Sequence, residues 1–327
     1  MVNQGHMHAH LFSKTRDILH AANRVLIVMH QNPDGDALGS ATALSLYLDD
    51  VKKPHDIFCV HRTPAHYFFL PHSERVQTDP ALILHGSHDV LISLDSGDLL
   101  YAGIHEHLAE RTKEKHTIIN IDHHKTNTHY GDVNIVDVQS SSTAEMMYNF
   151  FMHTNHPIST DAATCMLAGI VSDTGGFSNL GTTSSALNIA SELLRCGARI
   201  WDIQHNTQKN KSINALKLWG VVLSRLKRHS SGAVVTVLTQ TDIISCDADT
   251  EDAEGIANFL NTLDDARAVF LLSELEPGKI KISMRTTQPH VDVSHFARVF
   301  GGGGHKKASG LTIPGSIVVS DKSFHVA

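Results

Sequence analysis

The chain predicts an α/β fold: a mostly parallel sheet in the N-terminal part, followed by a smaller α+β domain. Three observations predict it. Short apolar runs alternate with segments of helical period over residues 1–200, the signature of a sheet covered by helices on both faces. Acidic and imidazole side chains gather where those runs finish, and in such sheets ligands collect beyond the carboxyl ends of the strands. Past residue 230 the pattern becomes strands joined by a tight turn.

Val25–Met29 is the first expected strand and leads into His30-Gln31-Asn32-Pro33-Asp34-Gly35-Asp36; Ala37, Ala41, Leu44 and Leu48 then recur at helical spacing. Val90–Leu94 leads into Asp95-Ser96-Gly97-Asp98, and Thr117–Ile121 into Asp122-His123-His124. Ser142-Thr143-Ala144-Glu145 reads as a capping box opening a helix with Met146, Met147, Phe150 and Phe151 on its apolar side. Met166–Val171 is expected as a strand leading into Ser172-Asp173-Thr174-Gly175, and a helix around Leu187–Arg195 ends at Gly197. The polar, helical stretch from Trp201 to His229 is the expected connection between domains. Beyond it, Val234–Thr239 and Ala268–Leu272 read as strands, with a helix from Glu254 to Leu263 before a hairpin. That hairpin turns at Glu276-Pro277-Gly278-Lys279, with Pro and Gly where a type II turn prefers them. A last helix, Ser294–Phe300, precedes a run of four glycines. The expected division is a metal-binding domain over 1–200, a helical linker over 201–230 and a substrate-binding domain over 231–327.

Bulk properties exclude several classes. A net charge of -7 with no block of Lys or Arg argues against a footprint on long duplex nucleic acid. It permits a small anionic substrate, because metal ions can supply local positive charge. Apolar runs are too short to span a bilayer. Cys59, Cys165, Cys196 and Cys246 form no CxxC pair, which suits free thiols in a reducing cytoplasm. No basic segment followed by an apolar one opens the chain, and His6-Met7-His8-Ala9-His10 is expected to be a flexible end.

Taken singly, the acidic motifs have bland readings. Asn32-Pro33-Asp34-Gly35 is ordinary turn chemistry, Asp95-Ser96-Gly97-Asp98 suits a solvated turn, and Asp173 suits a helix cap. Two adjacent imidazoles after an apolar strand are harder to dismiss as packing. Their joint placement supplies histidine and several aspartate ligands, which suits a pair of hard divalent cations better than one. Gly301-Gly302-Gly303-Gly304-His305 is a glycine loop able to bring backbone N–H groups close to a phosphate. Alternation over Ile280, Ile282 and Met284 leaves Arg285 on the polar face, either to clamp a phosphate or to stand in solvent.

In this order, His30-Gln31-Asn32-Pro33-Asp34-Gly35-Asp36, Leu94-Asp95, Ile121-Asp122-His123-His124, Ser172-Asp173-Thr174-Gly175 and the terminal Gly301–His305 resemble the DHH phosphoesterase superfamily. More narrowly, the chain is similar to the nanoRNase/pAp phosphatase group with its DHH-associated C-terminal domain, from about His30 to Thr312. The resemblance implies a ligand set: His30 and Asp34 on one cation, Asp36, His123 and Asp173 on the other, with Asp95 bridging and so counted among the catalytic groups. It implies two divalent cations, Mn²⁺ before Mg²⁺, which lower the pKa of a shared water and neutralise phosphate oxygens. His124 is the candidate to contact the phosphate or protonate the leaving oxygen, its bland alternative being a partner of a ligand. Asp122 suits orienting a histidine. Substrate contacts implied are Gly302, Gly303, Gly304, His305, Arg285 and Asn258.

Two departures from the family stand out. Ala308-Ser309-Gly310 replaces the usual Ala-Ala-Gly, and no Arg follows shortly after Asp98. The expected activity is hydrolysis of short single-stranded oligoribonucleotides to mononucleotides and of pAp to AMP, in a cleft between the two domains. Cyclic or linear dinucleotides (c-di-AMP, pApA), pyrophosphate or polyphosphate, and non-catalytic nucleotide binding are the rival readings. No membrane partner is expected, and a homodimer is left open.

Overall fold

The computed structural model describes residues 2–110, 116–207, 211–320 and 323–327. The chain divides into two compact units, Met1–Asn210 and Lys211–Ala327.

The first unit runs α1 (Val2–Ala21), β1 (Val25–Met29), α2 (Gly35–Asp50), β2 (His55–Phe58), β3 (Val76–Gln77), α3 (Ala81–His85) and β4 (Val90–Leu94). It continues α4 (His105–Glu110), β5 (Thr117–Asp122), β6 (Val133–Val136), α5 (Thr143–His153), α6 (Thr160–Asp173), α7 (Ser184–Arg195) and α8 (Ile200–Thr207). Its sheet has the order β3-β2-β1-β4-β5-β6, and every pair is parallel. Strands β1 and β4 are buried at every position, which is why their sequences are continuous apolar runs rather than alternating ones. Strand order reverses between β1 and β4, and a crevice opens beyond the strand ends at such a switch point.

Two expectations for this unit are corrected. Met166–Val171 is not a strand but part of α6, capped by Ser159 Oγ accepting from Ala162 N. Residues 162–171 of α6 are all buried, so the helix shows no polar face, and periodicity cannot tell such a segment from a buried strand. The main chain of the expected flexible end is helical, because α1 sets Phe12 and Leu19 into the core, 2% and 0% exposed. Each burial stabilises by about 1.5–3 kcal/mol. Helices α2 and α6 cross closely at Gly39, where an added Cβ would stand 2.4 Å from Cys165 O.

The second unit runs α9 (Ile213–Ser224), β7 (Lys227–Arg228), β8 (Ala233–Leu238), α10 (Gln240–Ser245), α11 (Ile256–Leu260), β9 (Ala268–Glu276) and β10 (Lys279–Arg285). It ends with α12 (Val293–Val299), β11 (Gly303–His305), β12 (Ala308–Pro314) and a separate hairpin, β13 (Ile317–Ser320) and β14 (Ser323–Val326). Its main sheet is mixed, in the order β11-β12-β10-β9-β8-β7, with β8 and β9 parallel and the other pairs antiparallel. Gly278 at φ 72° supplies the positive φ that the β9–β10 turn needs. The helix expected over 254–263 shortens to α11, because Gly255 sits left-handed at φ 90° in the cap position and breaks the preceding turn. Helices α8 and α9 fall in different units, one on each side of the division at Asn210.

A polar tie joins β2 to the loops that enter β1 and β4. Asp56 Oδ2 accepts from Arg24 Nε and from His88 Nε2, each at 2.7 Å. Burial pushes this carboxyl up, but the Arg24 and His88 hydrogen bonds outweigh it and hold its pKa at about 2. A depressed carboxylate stabilises the fold fully above its ordinary value of 3.8, and the contribution disappears as pH falls through about 2. Asp56→Asn is therefore expected to cost about 1–3 kcal/mol at neutral pH. Denaturant titrations at stepped pH should show the gap to the native chain closing below the ordinary carboxylate value; a gap that persists in acid would contradict this account.

Candidate metal and phosphate centre

The site is built at the carboxyl edge of the parallel sheet. His30 follows β1, and Asp34 caps α2, its Oδ1 accepting from Asp36 N at 3.0 Å and Ala37 N at 3.1 Å. Asp95 follows β4 in the left-handed region, φ 56°, which turns the chain sharply at the strand end and which aspartate tolerates better than most residues. Asp122 closes β5, ahead of His123 and His124, and Asp173 closes α6. The N-terminus of α5 points at Asp36: Thr143 N donates to Oδ2 at 2.7 Å and Ala144 N to Oδ1 at 2.8 Å. Such N–H groups carry partial positive charge and stabilise a carboxylate that is wholly buried. Gly169 of α6 lies under the same group, where a Cβ would stand 2.9 Å from Asp36 Oδ1.

All six residues expected to bind metal are brought together, in sets whose ligand atoms lie within 4.8 Å of one another: His30, Asp34 and Asp95; Asp36, His123 and Asp173; and Asp95, His123 and His124. Asp95 is common to both halves. Its Oδ2 lies 3.5 Å from His30 Nε2, while Oδ1 lies 3.6 Å from His123 Nε2 and 3.5 Å from His124 Nδ1. His30 Nε2 also lies 3.6 Å from Asp34 Oδ1. Around His123 Nε2 stand Asp173 Oδ2 at 3.1 Å, Asp95 Oδ1 at 3.6 Å and Asp36 Oδ2 at 3.8 Å.

The residues fit divalent cations. His123 Nε2 is buried among three carboxylates, yet none meets it in hydrogen-bond geometry; its Nδ1 faces Ser140 O at 3.4 Å. With a cation bound, a ring that donates from Nδ1 would offer its Nε2 lone pair to the cluster, the tautomer a metal ligand needs. Charges in the pocket are unbalanced without a cation. Burial, and then the charges of Asp95 and Asp173, push Asp36 well above the usual carboxylate range, and burial raises Asp173 too. Burial also opposes ionisation of Asp95, but His30, His123 and His124 hold it below that range. Although burial disfavours charged imidazole, the surrounding aspartates raise His30 to about 10 and His123 to about 11. Oxygen and imidazole donors without thiolate suit Mn²⁺ or Mg²⁺.

Sequence reasoning missed the supports behind this cluster. Thr143 Oγ1 donates to Asp95 Oδ1 at 3.0 Å. The expected capping box is half formed: Ser142 Oγ accepts from Glu145 N, but the Glu145 carboxylate accepts from Ser141 N and Oγ instead. Asp122, fully buried, accepts from His124 Nδ1 at 2.7 Å through Oδ1 and from Asn127 Nδ2 at 2.6 Å through Oδ2. Asn127 Oδ1 in turn accepts from Asn120 Nδ2 at 2.9 Å, and Asn120 Nδ2 also reaches Asn134 Oδ1 at 3.0 Å. Ser93, Asn120 and Asn134 are register partners on β4, β5 and β6, and Tyr130 Oη donates to Ser93 Oγ at 2.7 Å. A polar ladder thus crosses the sheet and ends at the carboxylate that orients His124. A polar residue inside an apolar strand, as at Ser93 and Asn120, was its signal in the sequence.

Tyr101 was also missed. Its ring stacks on His30, centroids 5.2 Å apart and planes at 28°. Burial, and then the charges of Asp34, Asp95, Asp122 and Asp173, push its phenol up to about 12.

In the second unit, Arg285 of β10 pairs with Ala308 of β12, which pairs with His305 of β11, so the three lie level across the sheet. Arg285 Nε donates to Asn258 Oδ1 at 3.0 Å, and burial lowers the guanidinium pKa. The side chain of His305 lies outside the described residues. Gly303 and Gly304 belong to edge strand β11, and Gly302 N donates to Ala297 O at 2.8 Å. Glycine is required at Gly304, at φ 131° with an added Cβ 2.6 Å from Ala308 O, and at Gly302, where a Cβ would stand 2.3 Å from Gly310 O.

An α/β unit with acidic and imidazole groups converging at its sheet edge defines a hydrolase site of the metal-assisted class. Comparison with known proteins gives the family. Residues 24–170 match the model of the DHH family, N-terminal domain, and residues 222–322 match the DHHA1 domain. The chain is 30% identical over 292 residues to the bifunctional oligoribonuclease and PAP phosphatase NrnA of Thermus thermophilus, covering 89% of this chain and 84% of the relative. It is 26% identical to the protein of the same name from Bacillus subtilis, covering 88% and 89%. A crystal structure of an exopolyphosphatase-related protein from Bacteroides fragilis superposes with TM-score 0.85 at 27% identity, covering 92% of this chain and 90% of that one. The chain belongs to the DHH family, carries a DHHA1 domain, and is a phosphoester hydrolase.

Two substitutions test the site's supports. Asn127→Asp keeps the shape but sets an acceptor against Asp122 Oδ2, so the melting temperature should fall and, in protein still folded at the assay temperature, turnover should fall about 10–100-fold; unchanged turnover would remove the ladder from the site's function. Gly169→Ala should drive Asp36 off the α5 N-terminus and weaken binding of a divalent cation, titrated by calorimetry with Mn²⁺ and with Mg²⁺, by about tenfold or more.

Proposed function

We propose that this chain hydrolyses short oligoribonucleotides to mononucleotides and pAp to AMP, using two Mn²⁺ ions. The observation that carries the reading is the sharing of Asp95 between two ligand clusters, in a chain 30% identical to an oligoribonuclease and PAP phosphatase. In this reading His30 and Asp34 hold one cation, and Asp36, His123 and Asp173 the other. Asp95, whose Oδ2 faces His30 and whose Oδ1 faces His123, would serve both. When bound, such a pair supplies Lewis acidity that acidifies water and offsets the charge of a phosphate.

The chain's own groups do the rest. Asp122 holds His124 by Nδ1, which turns Nε2 toward the reaction as the group that contacts the phosphate or protonates the departing oxygen. Arg285, steadied by Asn258, binds a phosphate of the substrate as a guanidinium fork. Gly303, Gly304 and His305 of edge strand β11 supply the second phosphate contact of this reading, because an edge strand leaves part of its main chain unpaired. Four free cysteines suit an enzyme of the reducing cytoplasm.

Release of nucleotide from pAp, pApA, c-di-AMP and a pentanucleotide RNA, with Mn²⁺ and then with chelator, tests the proposal. Chelator-sensitive formation of AMP from pAp and of mononucleotides from the linear RNAs is expected. Turnover of c-di-AMP alone, or of pyrophosphate alone, would overturn it. Asp95→Asn should lower turnover about a hundredfold or more, and near-native rates with Mn²⁺ would refute the bridging role.

A further inference from the structure

The turn that follows Asp95 contains no lysine or arginine: residues 96–104 read Ser-Gly-Asp-Leu-Leu-Tyr-Ala-Gly-Ile. It cannot grip a phosphate by charge. What it presents to the site is Tyr101, stacked on His30 and about 45% exposed, with Leu100 beside it at 71%. The ring is held in place from both ends of its own residue. Tyr101 N donates to Asp98 Oδ1 at 2.6 Å, and Tyr101 O accepts from Gln31 N at 3.1 Å. Gln31 directly follows His30, so the tyrosine is tied to the histidine both through the main chain and through the ring stack. One ring face lies on the imidazole, and the residue, about half exposed, stands at the rim of a cluster that is otherwise charged.

We propose that Tyr101 is the base platform of the site: the nucleobase next to the scissile phosphate stacks on its ring, extending the His30–Tyr101 stack by one layer. This rests on the nucleotide-hydrolase reading above and deepens it. A nucleotide carries its base one sugar away from its phosphate, and Tyr101 stands one imidazole away from Asp34 and Asp95, so a phosphate at the cluster brings its base to the ring. Aromatic faces accept every base, because each base has a π-face. A tyrosine fixed at both backbone ends loses little conformational freedom on binding. Such a platform gives preference to nucleotides over sugar phosphates and inorganic phosphates without reading sequence, which suits a degrader of mixed short RNA.

The test compares equilibrium binding of AMP and of ribose 5-phosphate in Mn²⁺, for the native chain, Tyr101→Phe and Tyr101→Ala. Neither probe contains a bond that the proposed reaction cleaves, so the readout is independent of turnover. The native chain should bind AMP about tenfold or more tightly than ribose 5-phosphate, the scale of one base–aromatic stack. Tyr101→Phe should keep that ratio, and Tyr101→Ala should bring it close to one while leaving the affinity for ribose 5-phosphate within about threefold. Equal binding of the two probes by the native chain, a ratio unchanged in Tyr101→Ala, or equal loss for both probes, which would make the residue a support of His30 alone, would each overturn the proposal. So would loss of the ratio in Tyr101→Phe, which would assign the contact to the hydroxyl. If the native chain fails to cleave any nucleotide yet shows the Tyr101-dependent ratio, the hydrolase reading falls and the platform stands.

Discussion

Gathering four aspartates in one largely buried space is the constraint on which the rest of the first unit depends. Like charges repel strongly once water is excluded; carboxylate oxygens of Asp34 and Asp95, and of Asp36 and Asp173, lie within 4.8 Å of each other, and Asp36 and Asp95 are almost wholly buried. The fold answers with fixed dipoles and with cations of its own. The α5 N-terminus donates two N–H groups to Asp36, the start of α2 donates two to Asp34, and His30, His123 and His124 surround Asp95. None of these contacts would be chosen for stability alone, since burying charge costs more than packing apolar groups in the same volume. The arrangement makes sense as one completed by a divalent charge, with the protein holding its ligands at hand beforehand.

The sheet explains why the candidate ligands come from such distant parts of the chain. A parallel sheet brings the ends of β1, β4 and β5 side by side, so motifs about 65 and 90 residues after His30 arrive within a few ångströms of it. The reversal of strand order between β1 and β4 leaves the crevice into which His30 and Asp95 project. Asp173 reaches the same place from a helix, which works because α6 crosses α2 closely enough at Gly39 and Gly169 to put its last turn against Asp36. Small residues at a helix crossing here set the distance between two candidate ligands, Asp36 and Asp173.

Much of this was legible in the sequence, for a physical reason. Buried parallel strands read as continuous apolar runs, and residues just beyond them stand at the sheet edge, so β1, β4 and β5 and their motifs identified each other. Asp173 was assigned to the site on a wrong local structure: an all-buried helix and a buried strand have the same composition, and only the Ser159 cap, eight residues upstream of Leu167, separates them. Tyr101 was illegible, and the ladder through Asn120, Asn127 and Asn134 left only the polar residues Ser93 and Asn120 inside apolar strands as a trace, for another reason. Their meaning lies in register partners and ring contacts across strands, and neither leaves a periodicity along the chain. The second unit shows the same split. Its hairpin turn at Gly278 was readable from Pro-Gly, whereas the use of Gly303 and Gly304 as an edge strand depends on pairing with β12.

The polar ladder bears on how the two adjacent histidines come to differ. His123 and His124 are neighbours in sequence, with rings 4.5 Å apart, yet a strand end turns successive side chains in different directions. Asp122 distinguishes them: its Oδ1 takes both His123 N and His124 Nδ1, which fixes the main chain of the first and the ring of the second. His123 is thereby left to aim its ring at Asp36, Asp95 and Asp173, and His124 is held by its Nδ1 from behind. A mobile carboxylate would blur that division, and Asn127, held in turn by Asn120, removes the freedom of Asp122 to rotate. Buried side-chain amides in mid-sheet are costly unless every donor is satisfied. Their presence between three parallel strands is accounted for by the precision they give to one carboxylate, and through it to a single imidazole.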